Sequence, residues 1–128
     1  MVFELMTHKI EQVGSILQKA ISQVLRRDLS DPRIEGLISV TRVKVSPDMK
    51  QAVVYISVLP EQNQSKVLHG LRHAAGHIHS LTKKLVSLRI VPHLEFRLDD
   101  SLKKEAEVYR AIHNGIDRTE SRHEPEKP

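Results

Sequence analysis

Residues 65–88 of the chain read SKVLHGLRHAAGHIHSLTKKLVSL. At about 100° per residue, the apolar side chains of this stretch fall on one side of a helix and the polar side chains on the other. The apolar set is Val67, Leu68, Leu71, Ala74, Ala75, Ile78, Leu81, Leu85 and Leu88. The pattern predicts an amphipathic helix over residues 65–88 whose apolar side packs on the rest of the protein.

The polar side of this helix belongs to a run of sequence that has no carboxylates. No Asp or Glu occurs between Gln62 and Leu94, although the whole chain has 16. The run contains five histidines and also Lys66, Arg72, Lys83, Lys84 and Arg89. Exposed helix faces usually mix both signs of charge, because Glu–Lys pairs one turn apart stabilise a helix. A face without carboxylates favours a polyanionic partner, and an ordinary solvated face is the alternative.

Two strands are predicted before this helix and one strand after it. Residues 37–45 are rich in β-branched side chains, and Ser46-Pro47-Asp48 is typical of a turn. Alternation over residues 52–59 places four apolar side chains on one side: Ala52, Val54, Ile56 and Val58. These features predict a β-hairpin. Residues 94–98 again alternate, with charged side chains between Leu94, Phe96 and Leu98. They predict a third strand.

Helices are also predicted at both ends of the chain. Residues 7–28 place apolar side chains at the i, i+3, i+4 spacing, and Ser30-Asp31-Pro32-Arg33 is expected to end that helix. Asp99, Asp100 or Ser101 is expected to cap a last helix. Its predicted inward stripe is Leu102, Ala106, Tyr109, Ile112 and Ile116. Residues 117–128 contain no apolar side chain and are predicted to be a disordered polar tail, which leaves residues 1–116 as one domain.

The predicted order is helix, strand, strand, helix, strand, helix. A helix that joins two strands of one sheet normally makes them parallel through a right-handed crossover, so the third strand should lie parallel to the second. We therefore expect an α+β fold in which helices cover one face of a three-stranded sheet.

Composition narrows the possible functions. The chain has 128 residues and no cysteine, which excludes disulfides, thiolate catalysis and cysteine-ligated zinc. Neither a signal peptide nor a transmembrane helix is evident, so a soluble cytoplasmic protein is expected. The five glycines do not form a phosphate loop, and no nucleophile elbow or paired-carboxylate motif occurs. We expect no enzyme activity and no cofactor.

Gly76 is predicted to lie on the exposed side of the long helix, where glycine costs about 1 kcal/mol relative to alanine. Two explanations are a kink between Ala75 and Gly76 and a close approach of another backbone segment. Neutral drift at a tolerated position is the third.

Histidines and aromatic residues suggest two further expectations. His69, His73 and His77 have the i, i+4, i+8 spacing of ligands on zinc-binding helices, but no cysteine or nearby carboxylate completes a site. A His-dependent metal-binding or metalloenzyme domain is therefore kept as an alternative function. The aromatic residues are Phe3, Tyr55, Phe96 and Tyr109. Because Phe96 and Tyr109 fall on predicted inward stripes, base stacking on aromatic side chains is not expected to be a main source of binding.

The sequence resembles the bacterial ribosome-binding factor A family over nearly all of its globular part. The similar segments are Asp31-Pro32-Arg33, Val43 to Asp48, Ala52 to Val58, Ala74-Ala75-Gly76, Leu88 to Pro92 with Leu94-Glu95-Phe96, and Asp99-Asp100-Ser101. The resemblance implies a type II KH-like domain with strand order one, two, three. It also implies an Ala-x-Gly helix kink at Ala74, Ala75 and Gly76 in place of the GxxG loop of ordinary KH domains.

The same resemblance implies a non-catalytic assembly factor. Such a protein would bind the free small ribosomal subunit and its ribosomal RNA, and would assist late maturation and precursor processing, with importance in the cold. We expect a monomer with no membrane or small-molecule partner, and a DNA-binding module is a further alternative. The expected RNA-binding residues are Arg42, Lys44, Lys66, Arg72, His73, His77, Lys83, Lys84 and Arg89.

Overall fold

The computed structural model describes the backbone of residues 2–27 and 32–122, and their side chains apart from residues 2–7, 102, 103 and 115–122. The elements follow the predicted order of helix, two strands, helical segment, strand and helix. They are α1 (Val2–Arg27), β1 (Leu37–Val45), β2 (Gln51–Leu59), α2 (Gln64–His73), α3 (Ala75–Leu85), β3 (His93–Leu98) and α4 (Ser101–Arg122). A short 3-10 turn, Glu61–Asn63, precedes α2.

The sheet has the strand order β1-β2-β3, with β1 antiparallel to β2 and β2 parallel to β3. Both the hairpin and the parallel third strand are confirmed. The buried side chains of the sheet, such as Val54, Ile56 and Phe96, form one core cluster with Leu17 of α1, Leu71 of α2 and Ile78 of α3. The helices α1, α2 and α3 therefore cover one face of the sheet, as the sequence predicts.

Helix α1 packs closely on β1. Its apolar stripe is buried at Val13, Leu17, Ile21 and Val24. A Cβ atom at Gly14 would lie 3.0 Å from the carbonyl oxygen of Val43, a tight contact, so the glycine favours this close approach of helix to strand. The helix begins at Val2, five residues before the predicted start, while Asp28, Ser30 and Asp31 lie outside the described residues.

The predicted long helix is interrupted at Ala74. Ala74 has φ −90° and ψ 5°, outside the helical region, and it separates α2 from α3. The second segment ends at Leu85, three residues earlier than predicted, and Leu85 itself is 45% exposed. A Cβ atom at Gly76 would meet nothing within 4 Å outside its own helix among the described residues, so no other segment of the described fold approaches this glycine.

The last helix does not bury the stripe predicted for it. Ala106 is exposed, Tyr109 is 68% exposed and Ile112 is 58% exposed. The prediction is wrong because the periodic spacing of apolar side chains identifies an amphipathic helix but not the surface that covers it. The side chains of Leu102 and Ile116 lie outside the described set. Helical backbone continues to Arg122, beyond the predicted boundary at residue 117, and the division into a domain and a tail stays a prediction.

No helix within residues 2–27 and 32–122 combines the length and the apolar character that spanning a lipid bilayer requires.

Candidate nucleic-acid interface

The outward side of α2 and α3 carries most of the predicted binding residues. Lys66, His73, His77, Lys83 and Lys84 are all exposed there, and Arg89 is exposed in the segment that follows α3. The ion pairs of Arg97 with Glu95 and of Lys104 with Asp100 lie elsewhere, and neither includes a residue of α2 or α3. The positive charge of this surface is therefore not neutralised by those carboxylates. We call Lys66, Lys83 and Lys84 the helix cations.

Several carboxylates gather at a different place in the fold. A groove where α4 leaves the sheet is lined by Glu61, Asp99, Asp100 and Glu107, together with one amine, Lys104. Asp99 accepts hydrogen bonds from the backbone N–H of Ser101 and the hydroxyl of Thr41. Hydrogen bonds from the Ser101 side chain, from the Thr41 hydroxyl and from the Ser101 backbone N–H lower the pKa of Asp99 to about 2. The carboxylate of Asp99, one of the three predicted caps, thus accepts a hydrogen bond from the first residue of α4 and remains ionised, while the carbonyl group of Asp100 accepts the first hydrogen bond of the helix.

Two polar side chains of the helix pair turn toward β3. Arg72 donates from Nε to the carbonyl oxygen of Phe96, and the Nε2 atom of His79 lies 2.9 Å from the carbonyl oxygen of Val91. Both acceptors are backbone groups in or just before β3, the outer strand of the sheet on that side. Arg72 is predicted to bind RNA, but the structure gives its guanidinium a partner inside the fold. Helical spacing alone gives no sign of this contact.

Arg42 and Lys44 lie on a different surface. Val40 pairs with Ile56 and Arg42 pairs with Tyr55, so Thr41 is the extra residue of a β-bulge in β1. Strict alternation from the buried Val40 would place Arg42 and Lys44 in the core, and the bulge turns them outward instead. The guanidinium of Arg42 lies over the Tyr55 ring, 4.4 Å from its centroid.

The structure therefore does not bring the nine predicted residues onto one surface. Arg42 and Lys44 occupy the open face of the sheet, whereas the helix cations lie beyond the helices that cover the other face. Tyr55 and Tyr109 are accessible at least in part, so the expected burial of Tyr109 is wrong and does not support the argument against aromatic contacts. Phe96 is buried, as predicted.

The histidine stripe does not form a metal site with other side chains. Ala74 interrupts the helix between His73 and His77. Within the part of the chain that the structure describes, no group of three or more His, Cys, Asp or Glu side chains is arranged to hold a metal ion. The metal-binding alternative receives no support from this arrangement.

Sequence reasoning does not find two cations that the fold places beside Arg89. Lys9 of α1 and Lys50 of the β1–β2 turn line the same cavity as Arg89. Residues 9, 50 and 89 are far apart in the chain and share no motif, so only the tertiary structure brings them together.

Comparison with known proteins agrees with this architecture. A family model described as ribosome-binding factor A matches residues 9–112. The ribosome-binding factor A of Acetivibrio thermocellus is 34% identical over 119 residues, which cover 92% of this chain and 97% of that protein. The corresponding protein of Desulfitobacterium hafniense is 37% identical over 120 residues, with 93% and 94% coverage.

Two solved structures are similar as well. The crystal structure of ribosome-binding factor A from Thermus thermophilus has a TM-score of 0.62 and 26% identity, and the match covers 70% of this chain and 93% of that one. A homology model of the T. thermophilus protein, fitted into the cryo-EM map of a 30S–RbfA complex, has a TM-score of 0.57 and 26% identity, with 68% and 91% coverage. The three-stranded sheet with its helices fits the KH-like fold of these neighbours. The chain belongs to the ribosome-binding factor A family.

Proposed function

We propose that this protein binds the free small ribosomal subunit through its ribosomal RNA and assists late maturation of that subunit. The observation that carries the proposal is the set of helix cations, which are exposed and take part in neither of the ion pairs described above. Such a surface gains free energy when RNA phosphates replace its counterions. Family membership supports the choice of partner, since a relative from T. thermophilus is described in a 30S complex.

The proposed role needs no catalytic group. The protein would act as a cytoplasmic monomer that docks on immature subunits, and its help with precursor processing would matter most at low temperature. The shape of the bound surface and its phosphate contacts would give the affinity, because paired RNA exposes phosphates and sugars more readily than base edges.

Co-sedimentation with purified small subunits tests the proposal. The triple variant Lys66→Glu, Lys83→Glu, Lys84→Glu should bind more than about tenfold less tightly than the unaltered protein, because phosphate contacts are lost and repulsion replaces them. A control with the same change in charge replaces Lys19, Arg26 and Arg110, which are exposed elsewhere, by Glu. Arg72 is left unaltered because it bonds to β3.

Two results would contradict the proposal. One is equal binding by the two triple variants, which would mean that only net charge matters. The other is a lack of salt dependence, because four phosphate contacts by the helix cations and Arg89 should give a slope of log K against log salt of about three in magnitude.

A cellular test addresses maturation. In a bacterium that lacks its own member of the family, the unaltered protein should restore growth in the cold and reduce the precursor of small-subunit RNA. The triple variant of the helix cations should do neither. Restoration of growth by that variant would show that maturation does not depend on this surface.

A further inference from the structure

A cavity lies at the end of α3 remote from its junction with α2. It has a volume of about 470 Å³ and is enclosed by three separate parts of the chain: the first half of α1, the β1–β2 turn, and the segment between α3 and β3. This size is typical of pockets that bind small ligands. The cavity is distinct from the face that carries the helix cations, although Arg89 at its rim follows Lys84 by only five residues.

The rim of the cavity is cationic. Lys9, Lys50 and Arg89 each come from a different one of the three parts, and all three side chains are exposed. The carboxylate that also lines the cavity belongs to Asp48, which accepts hydrogen bonds from the Ser46 hydroxyl at 2.6 Å and the backbone N–H of Lys50 at 3.0 Å. That carboxylate is held within its own turn, where it also attracts the charge of Lys50, so the three cations of the rim exceed the one carboxylate by two charges.

The floor of the cavity is apolar. Val13, Val91 and Pro92 are buried beneath it, whereas Ile90 is 72% exposed at its mouth. An exposed isoleucine beside three cations is not explained by packing of the core. An apolar floor with a cationic rim suits a ligand that combines a flat, weakly polar group with flanking negative charges.

Met49 adds a separate observation. Its φ is 60°, in the left-handed region that favours glycine, yet its side chain lines the cavity. The residue packs against the core cluster and also lines the cavity, so it extends the apolar floor from the core toward the mouth.

We propose that this cavity holds one unstacked nucleotide of single-stranded RNA, with its base against Ile90 and Met49 and its phosphates against Lys9, Lys50 and Arg89. The inference rests on the proposed function, and RNA is favoured over an acidic protein segment because Arg89 of the rim follows Lys84, a cation of the surface proposed to bind ribosomal RNA, by only five residues. A nucleotide also accounts for the floor, which inorganic phosphate alone would not need.

The test measures the affinity of the full chain for short oligouridylate, oligoadenylate and oligocytidylate, and for an abasic ribose-phosphate oligomer of the same length. Fluorescence anisotropy at low ionic strength is a suitable method. The unaltered protein should bind at least one base-containing oligomer about tenfold more tightly than the abasic oligomer, in line with the value of one base contact.

Variants separate the floor from the rim. Ile90→Ser and Met49→Gly should each bring the ratio of the affinities for base-containing and abasic oligomers close to one. The affinity for the abasic oligomer itself should stay the same. Ile90→Ser is compatible with folding because Ile90 is exposed, whereas Met49→Gly relieves the backbone but removes a side chain that packs against the core, so circular dichroism must first show that this variant is folded. Lys50→Gln should weaken binding of all oligomers alike. Ile112→Ser, at an isoleucine that is 58% exposed on α4, is the matched control and should leave the preference intact.

The outcomes distinguish this proposal from the proposed function. If the unaltered protein binds small subunits but shows no preference for bases, or if Ile90→Ser and Met49→Gly keep the preference, the nucleotide cavity is refuted while subunit binding stands. If polyglutamate displaces the oligomers as well as competing RNA does, the ligand is an acidic segment and the proposal is also overturned. Absence of binding to subunits and to every oligomer would refute both.

Discussion

The Nε atom of Arg72 in α2 donates a hydrogen bond to the carbonyl oxygen of Phe96 in β3 at 3.3 Å. The contact between His79 and the carbonyl group of Val91 adds a second link, from α3 to the segment just before β3. A cation that the sequence assigns to RNA binding therefore has a role in holding the sheet edge.

Replacement of Arg72 by Ala should lower the free energy of unfolding by about 1 kcal/mol, because the carbonyl group of Phe96 loses a charged donor at a partly buried site. Urea denaturation followed by circular dichroism measures the change. Lys66→Ala on the same helix, where the side chain is exposed, should stay within about 0.5 kcal/mol of the unaltered protein. Equal stability of the two variants would contradict a structural role for Arg72.

Gly76→Ala should raise the free energy of unfolding by up to about 1 kcal/mol, since alanine favours helix and an added Cβ would meet open space. Small-subunit binding should not change, because the interruption lies at Ala74 and not at Gly76. Thermal denaturation and co-sedimentation test the two parts. As a contrast, Gly36→Ala should destabilise the protein, because Gly36 has φ 102° and its Cβ would lie 2.5 Å from the carbonyl oxygen of Leu59. A loss of stability in Gly76→Ala would show that α3 needs a glycine there.

Thr82→Val should stabilise the protein by about 1 kcal/mol. Thr82 is fully buried, and its hydroxyl has no hydrogen-bond partner among the described residues, so a methyl group of similar shape removes a desolvation cost. The comparison is Thr41→Val, which removes the donor to Asp99 and should destabilise. Chemical denaturation measures the free energy of unfolding of both variants. A loss of stability in Thr82→Val would indicate an unrecognised partner for the hydroxyl.

Asp99 should make stability depend on pH in acid. Its pKa falls from 3.8 to about 2 in the folded protein, mainly through hydrogen bonds from Ser101 and Thr41. Because the folded state binds the proton less readily than the unfolded chain, the stabilising contribution is complete above pH 3.8 and is lost as the pH falls toward 2. Denaturation midpoints measured over this range should fall less steeply for Asp99→Asn than for the unaltered protein. If the midpoint depends on pH equally in Asp99→Asn and in the unaltered protein, other carboxylates account for the acid sensitivity.

The family and the order of elements follow from residues that are close together in sequence. Alternation at Val54, Ile56 and Val58 predicts a half-buried strand, and helical spacing at Val13, Leu17 and Ile21 predicts an amphipathic helix, because each pattern reports a local repeat of the backbone. The crossover then makes β3 parallel to β2. These inferences need no knowledge of distant contacts.

The candidate site can be predicted only in part. The helix cations are recognisable as a surface because they share one short helical region, but the same reasoning assigns Arg72 to that surface although it reaches β3. It also assigns Tyr109 to the core because its spacing matches a helical stripe, yet spacing does not say whether another element covers the stripe.

By itself, the sequence determined the order of the elements, the buried sides of α1, β2 and β3, and the cluster of positive charge on the second helical region, since all three depend on neighbours along the chain. The tertiary structure alone decided which cations share a surface. The bulge at Thr41 turns Arg42 and Lys44 to the open face of the sheet, and the fold gathers Lys9, Lys50 and Arg89 around one cavity. The physical reason is that strand register and packing between distant segments are set by contacts across the whole core, which no local repeat encodes.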